Sequence, residues 1–224
     1  MNVLAIETAT TVCAIGLARG VEHEVRILDD QRRHTEVLVD GIASLLNDMS
    51  LTPRDLDRVV VDRGPGLFTG LRVGLATGQG FASALGIDAV GVTSLELLAH
   101  GAHASGVRGS LVALVDGRRG EVFAQVFSLT DDVDAVSTYE VTRALDVAIE
   151  WGTSGRPVTM VGDGAARYAD VLAPVPNVEV LSTTVPSLEA ALAIGAVRAP
   201  GELRPLYLRE ADAVANFTTR QRPS

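Results

Sequence analysis

Short apolar runs alternate with longer stretches of helical period along this chain. Asn2–Glu7 reads as a first strand, Val12–Ala18 as a second and Glu22–Leu28 as a third. The polar turn Thr8–Thr11 and the Arg19–Gly20 pair separate them, which predicts an antiparallel meander. Leu38, Ile42, Leu45, Leu46 and Met49 recur at helical spacing and predict an amphipathic helix over Thr35–Met49. The pattern alone fits a core face and an interface equally well. Thr52–Asp55 opens a short helical turn, Arg58–Asp62 a buried β-branched strand, Leu71–Leu85 a helix and Asp88–Val92 a strand. Thr93, followed three positions later by Glu96, makes a capping box for a helix reaching about His103.

A Gly-rich break over 104–110 is the candidate domain boundary. It divides the chain into an N-terminal part (1–104), a C-terminal part (105–215) and a polar tail (216–224) expected to be disordered. In the second part, Leu111–Asp116 and Glu121–Leu129 pair as a hairpin across Gly117–Gly120. Asp131–Asp134 reads as an acidic loop. Strand Thr138–Val141, helix Thr142–Ile149, strand Val158–Val161, helix Ala165–Leu172, strand Val178–Leu181 and a helix capped by Ser187 follow. Strands and helices alternate in both parts, which indicates an α/β fold.

The stretch Gly64–Arg72 (GPGLFTGLR) stands between a strand and a helix. Gly64 and Gly66 permit backbone conformations closed to other residues, Pro65 stiffens the turn, and Thr69 is placed to cap the following helix. Such a turn can present N–H groups to an anion, or it can serve packing alone. It lacks the Gly-Lys-Ser/Thr ending of a Walker loop. Gly70, Gly74 and Gly78 recur every four residues and fall on one helix face. Each costs about 1 kcal/mol against alanine in a helix. The stripe therefore implies another backbone close by, either from this chain's own sheet or from a helix of a partner.

Composition narrows the chemistry. The formal charge of −9 over 224 residues argues against autonomous nucleic-acid binding. All 19 basic residues are arginine, which excludes a Walker lysine, a Schiff base and a lysine nucleophile. The single cysteine, Cys13, excludes an intramolecular disulfide. No apolar stretch approaches a membrane span, and no signal region opens the chain, so a cytoplasmic protein is expected. Glu96, His100 and His103 share a helix face, but the spacing is not His-Glu-x-x-His; a surface helix is expected, and no metal site. Glu7, ending strand one before a threonine-rich turn, is a candidate for organising an anion or nucleotide phosphate, although the turn carries no glycine. Arg118 and Arg119, adjacent in a hairpin turn, can fork onto phosphate or carboxylate, with Asp116 and Glu121 able to neutralise them.

Four stretches together resemble the TsaB (YeaZ) family of bacterial tRNA threonylcarbamoyladenosine synthesis proteins: Leu4–Thr10, Gly64–Gly74, Arg118–Phe123 and Pro205–Arg209. The second is the most specific. Departures from the family pattern occur at Glu7 (usually Asp), Leu67 (Ser), Gly117 (Ala) and Phe123 (Tyr). The resemblance implies an actin-like ATPase (ASKHA) fold of two ribonuclease-H-like subdomains. It implies a non-catalytic partner of the paralogue TsaD, which transfers a threonylcarbamoyl group to the adenosine beside the anticodon. TsaD holds its metal through His-x-x-x-His; the comparable positions here are His34 and Leu38, so the second ligand is missing. The helices flanking the central turn would form the dimer surface, with His34, Leu38, Ile42, Leu45, Gly66, Thr69, Gly70, Arg72, Gly74 and Gly78 as partner-binding residues. TsaE would be a further partner, tRNA would be held through the complex, and the chain alone could form a homodimer. No cofactor is implied, except nucleotide at the interface with TsaD. The rival reading is an independent ASKHA-type or sugar-kinase-like ATPase, with Gly162–Gly164 as its second glycine loop.

Overall fold

The computed structural model describes residues 1–28, 34–201 and 203–208. Side chains at 34–36 lie outside that description, as does the segment 216–224 for which disorder is expected. The first half forms a five-stranded sheet. Its strands are β1 (Asn2–Glu7), β2 (Cys13–Arg19), β3 (Glu22–Leu28), β4 (Arg58–Asp62) and β5 (Asp88–Val92), in the order β3-β2-β1-β4-β5. The meander is antiparallel, while β4 and β5 run parallel to β1. Helices α1 (His34–Asp48), α2 (Phe68–Leu85) and α3 (Ser94–Ala104) connect or follow these strands.

The second half repeats that plan. It contains β6 (Gly109–Arg118), β7 (Glu121–Leu129), β8 (Val133–Ala135), β9 (Glu140–Thr142), α4 (Ala144–Gly152), β10 (Val158–Val161), α5 (Asp163–Arg167), α6 (Ala169–Leu172), β11 (Val178–Val180) and α7 (Leu188–Val197). The strand order β8-β7-β6-β10-β11 matches the first sheet strand for strand, with β9 added beside β7. Pairing directions match as well: two antiparallel steps, then two parallel ones. This doubled topology is the pair of ribonuclease-H-like halves of an actin-like fold.

Strand alternation sorts the first sheet's residues between two layers. Leu4, Ile6, Val59 and Val61 face α1 and α2, packing on Leu38, Ile42, Leu45 and Leu75. Val3, Ala5, Val60 and Val90 face the other way, onto Leu188, Leu192 and Ile194 of α7. The chain thus crosses back: α7 follows the second sheet in sequence but closes the core of the first. A division at 104/105 does not convey this, because α7 is apolar on nearly every face and its pattern does not reveal which sheet it covers. Leu203 also returns to the first core. α3 packs on the second sheet through Leu95, Leu98 and Ala102.

Local signals and structure differ in three places. The acidic stretch read as a loop contains β8, an edge strand too short to show alternation. The helix expected over Ala165–Leu172 is two short helices meeting at Tyr168. α2 starts at Phe68 rather than Leu71; its N-cap is Leu67, so Thr69 lies inside the first turn and caps nothing. The capping box of Thr93 and Glu96 and the Ser187 cap both form.

Candidate functional site

The central turn is held from three sides. Arg63 N–H donates to the Val92 carbonyl at 2.9 Å, and Ser94 N–H donates to the Gly64 carbonyl at 3.1 Å. The Ser94 hydroxyl donates to the Pro65 carbonyl at 3.0 Å. Gly64 sits at φ +96°, a region other residues rarely adopt. The Leu67 N–H donates to the Ala9 carbonyl at 2.6 Å, so the central turn rests directly on the turn after β1. A β-carbon at Gly66 would collide with that same carbonyl oxygen. On α2 the Gly70 carbonyl accepts from the Thr8 hydroxyl at 2.8 Å. β-Carbons at Gly74 and Gly78 would collide with Thr8 Oγ1 and Val61 Cγ2.

These contacts correct the residues expected at a partner seam. Gly70, Gly74 and Gly78 form an internal seam between α2 and the chain's own sheet, and Gly66 serves the contact between two turns. Leu38, Ile42 and Leu45 are each 0% exposed and fill the core. Helical spacing gave the stripe's phase but not its neighbour. Thr69 and Arg72 do stand on the surface. His34 begins α1; its side chain lies outside the described residues.

The surface of α2 carries what the sequence reading passed over. Phe68 and Tyr207 are 40% and 44% exposed, with ring centroids 5.4 Å apart. The Arg72 guanidinium lies 3.8 Å above the Phe68 ring, and its Nε–H donates to the Tyr207 hydroxyl at 3.3 Å. Tyr207 is brought there by the C-terminal segment, where Leu206 N–H donates to the Arg63 carbonyl at 2.7 Å. Gln79 secures the same segment by donating to the Leu203 carbonyl at 2.9 Å. Farther along this outer face lie the exposed small residues Ala76, Gly80 and Ser83, and a β-carbon at Gly80 would meet nothing within 4 Å. The available signal was the phase of Phe68, Arg72 and Gly80 opposite the inner glycines. Tyr207 had none, because it lies far away in sequence.

Glu7 is also corrected. The register pairs Ile6 with Val61, so Glu7 and Asp62 stand side by side at the carboxyl ends of adjacent parallel strands. They are 0% and 1% exposed. Glu7 Oε1 accepts from both the N–H and the hydroxyl of Thr10 at 2.9 Å, and Asp62 Oδ1 accepts from the Gly64 N–H at 2.8 Å. Burial, and then the neighbouring Asp62 carboxylate, push the Glu7 carboxyl well above the usual range. Thr8, Ala9 and Thr10 are buried too. A sealed turn facing a second acid does not fit a phosphate. Cys13 is buried nearby, and burial with the Glu7 charge raises its thiol to about 11, which leaves it unreactive at neutral pH.

In the second half, Asp116, near the end of β6, and Asp163, just past β10, occupy the corresponding region. Asp163 Oδ1 accepts from the Asp116 N–H at 2.9 Å. Arg118 and Arg167 each approach Asp116 Oδ2 at 3.5 Å, and their side chains are about half exposed. Arg118 and Arg119 both have positive φ, 64° and 56°, and the following Gly120 completes the hairpin turn. Arg118 is thus engaged by an internal carboxylate. Gly162, the first glycine of the rival ATPase's loop, lies against the Leu114 carbonyl, where a β-carbon would collide. On α3, Glu96 forms an ion pair with Arg198, and His103 Nε2 lies 3.0 Å from the Thr130 carbonyl. Among the described residues no cluster of His, Cys, Asp or Glu could hold a metal, and no helix is long and apolar enough to cross a membrane.

Two actin-like halves, a sealed first turn and an exposed aromatic–arginine cluster describe a member of the actin-like class whose first turn packs against the central turn. Comparisons with known proteins narrow the class. A family profile described as TsaD, tRNA N6-adenosine threonylcarbamoyltransferase, matches residues 28–213. An uncharacterized protein of Mycobacterium tuberculosis is 36% identical over 95% of this chain and 93% of its own length. The Escherichia coli tRNA threonylcarbamoyladenosine biosynthesis protein TsaB is 28% identical over 69% of this chain and 71% of its own. The Bacillus subtilis protein of the same name is 34% identical over 57% and 55%. The crystal structure of YeaZ from Pseudomonas aeruginosa superposes with a TM-score of 0.80 at 25% identity, covering 92% of this chain and 99% of that one. The chain belongs to the TsaD family and, within it, to the TsaB (YeaZ) proteins.

Proposed function

We propose that this chain is a non-catalytic partner of a TsaD-type transferase in the threonylcarbamoyladenosine modification of tRNA. The names of its E. coli and B. subtilis relatives support that process. One observation carries the partner role: the exposed Phe68–Arg72–Tyr207 cluster beside the small outer positions of α2. Aromatic and arginine side chains are enriched at binding hot spots, and a small-residue ramp next to them lets a helix approach closely. The partner surface is therefore the outer face of α2, not its inner glycine seam. On α1, Leu38 is a core residue four positions after His34, so this helix carries no histidine pair for a metal.

In this reading tRNA is bound through the complex, in keeping with the chain's charge of −9. TsaE is a further member of the assembly, and the same outer face serves a homodimer when TsaD is absent. Nucleotide belongs to the interface with TsaD, and the site of action is the cytoplasm. The test is co-purification with TsaD, followed by threonylcarbamoyl transfer to tRNA with and without this chain. Transfer should require both proteins. Phe68→Ala, Arg72→Ala and Tyr207→Ala should each weaken association, by roughly 30-fold where the residue is a hot spot of about 2 kcal/mol. Unchanged affinity in the folded variants would move the interface elsewhere. ATP turnover or tRNA modification by the isolated chain would favour an independent enzyme.

A further inference from the structure

We propose that Glu7 and Asp62 share one proton, forming a buried acid pair that latches the turn after β1 to the turn that opens α2. Glu7 Oε2 and Asp62 Oδ2 are both fully buried, and neither has a conventional donor among the described residues. The strand register nonetheless sets the two side chains next to each other. Two ionised carboxylates in that position would face both desolvation and mutual repulsion, each strongly unfavourable in the interior. One proton between the orphan oxygens removes both problems, because each orphan becomes the other's partner.

The surroundings assign the proton's side. Glu7 Oε1 already accepts twice from Thr10, as the carbonyl oxygen of a neutral acid can, which leaves Oε2–H to donate. Burial raises the Asp62 carboxyl too, but the Gly64 N–H donating to Oδ1 and the neighbouring Arg63 guanidinium pull it back toward the ionised form. The other groups facing the pair are the Cys13 thiol from β2 and the Ser94 hydroxyl from α3. The pair therefore carries one negative charge and titrates as a unit.

The sign of the pH dependence follows. The folded chain holds a proton at neutral pH that the unfolded chain has released, since an unperturbed glutamate titrates near 4.3. This contribution to stability is complete below that value and is lost as the pH rises through the pair's own folded value. Asp62→Asn and Glu7→Gln each replace the shared proton with an amide N–H. Between the ordinary glutamate value and the pair's own folded value, the wild-type folding constant should fall tenfold per pH unit relative to Glu7→Gln, as one bound proton requires. Urea midpoints measured across that range give this ratio.

Infrared spectroscopy of the wild-type chain at neutral pH provides a reading that needs no variant. The carbonyl stretch of a protonated carboxyl group should be present, survive Asp163→Asn, and vanish in Glu7→Gln. Absence of that band in the wild type at neutral pH overturns the proposal even if neither variant folds. Parallel pH profiles of wild type and variants also overturn it. A midpoint raised by magnesium in the wild type alone would place a cation, not a proton, between the carboxylates.

Discussion

The first sheet ends its two central parallel strands on Glu7 and Asp62; at the matching place the second sheet carries Asp116, near the end of β6, and Asp163, just past β10. Topology repeats, but the surroundings do not. The first pair lies under a glycine turn and the glycine stripe of α2, and both side chains are sealed from solvent. The second pair lies at a hairpin mouth, where two half-exposed arginines approach Asp116 and a backbone N–H serves Asp163. One doubled fold thus yields a buried acid pair without an ion-paired cation among the described residues and a buried aspartate, Asp116, reached from the surface by two half-exposed arginines. What differs is the volume of the residues packed above the strand ends. Glycine brings a helix backbone down onto the sheet and closes the first site, while arginine spans from solvent to carboxylate at the second.

The most direct way to break this contrast is to reopen the first half. Gly74→Leu places a side chain where Thr8 Oγ1 already lies and must lift α2 from the sheet. Overpacking of this kind typically costs about 1–3 kcal/mol, occasionally more. A urea melt should show the largest loss of any variant considered, with binding to TsaD reduced only in proportion to the unfolded fraction. Loss of TsaD affinity at full stability would return the inner seam to the partner surface.

A smaller effect is expected at Asp163, where the second half retains a partly buried acid. Burial raises its carboxyl above the usual aspartate range, while the Asp116 N–H and Arg118 pull it back. Being raised, it contributes stability that is complete below the ordinary aspartate value and lost as the pH climbs through its folded value. Asp163→Asn should flatten the stability profile above that ordinary value, and a profile as steep as the wild type's in urea melts across pH would show that Asp163 binds no extra proton in the folded chain.

Smaller still is the contribution of the arginines. Arg118→Ala and Arg167→Ala each remove a half-exposed ion pair, worth about 0–1 kcal/mol at low salt and less as salt is added. Guanidinium chloride would screen the effect, so urea melts at two sodium chloride concentrations are the suitable check. Gly80→Ala, on the outer face of α2, should move stability least and in the opposite direction. With nothing within 4 Å of the new β-carbon, it should gain up to about 1 kcal/mol of helix propensity. A loss there would show that the outer face is already covered within the chain.

Much of this architecture was legible in the residue pattern. β1, β3, β4, β5, β7 and β10 fall on the stretches read from apolar runs, and the Thr93 and Ser187 caps form where the side chains announced them. Local chemistry suffices there, because a cap or a buried β-branched run depends on neighbours a few residues away. β8 was missed because three residues are too few to show a period. The sites were less legible. The glycine period established that something lies close to α2, but not that it is Thr8 and Val61, which belong to other elements earlier in the chain. Family resemblance pointed to α1 and α2 as partner elements without telling their inner faces from their outer ones.

By itself, then, the sequence determined the element order, the two alternating halves, the central Gly64–Gly66 turn and the family. Periods, caps and glycine positions are local properties of the chain. Only the tertiary structure decided that Glu7 meets Asp62, that the glycine stripe faces inward, that α7 closes the first core and that Tyr207 joins Phe68 and Arg72. Each of these is a contact between residues distant in sequence. Such contacts are set by strand register and layer packing, and the pattern along the chain leaves both undetermined.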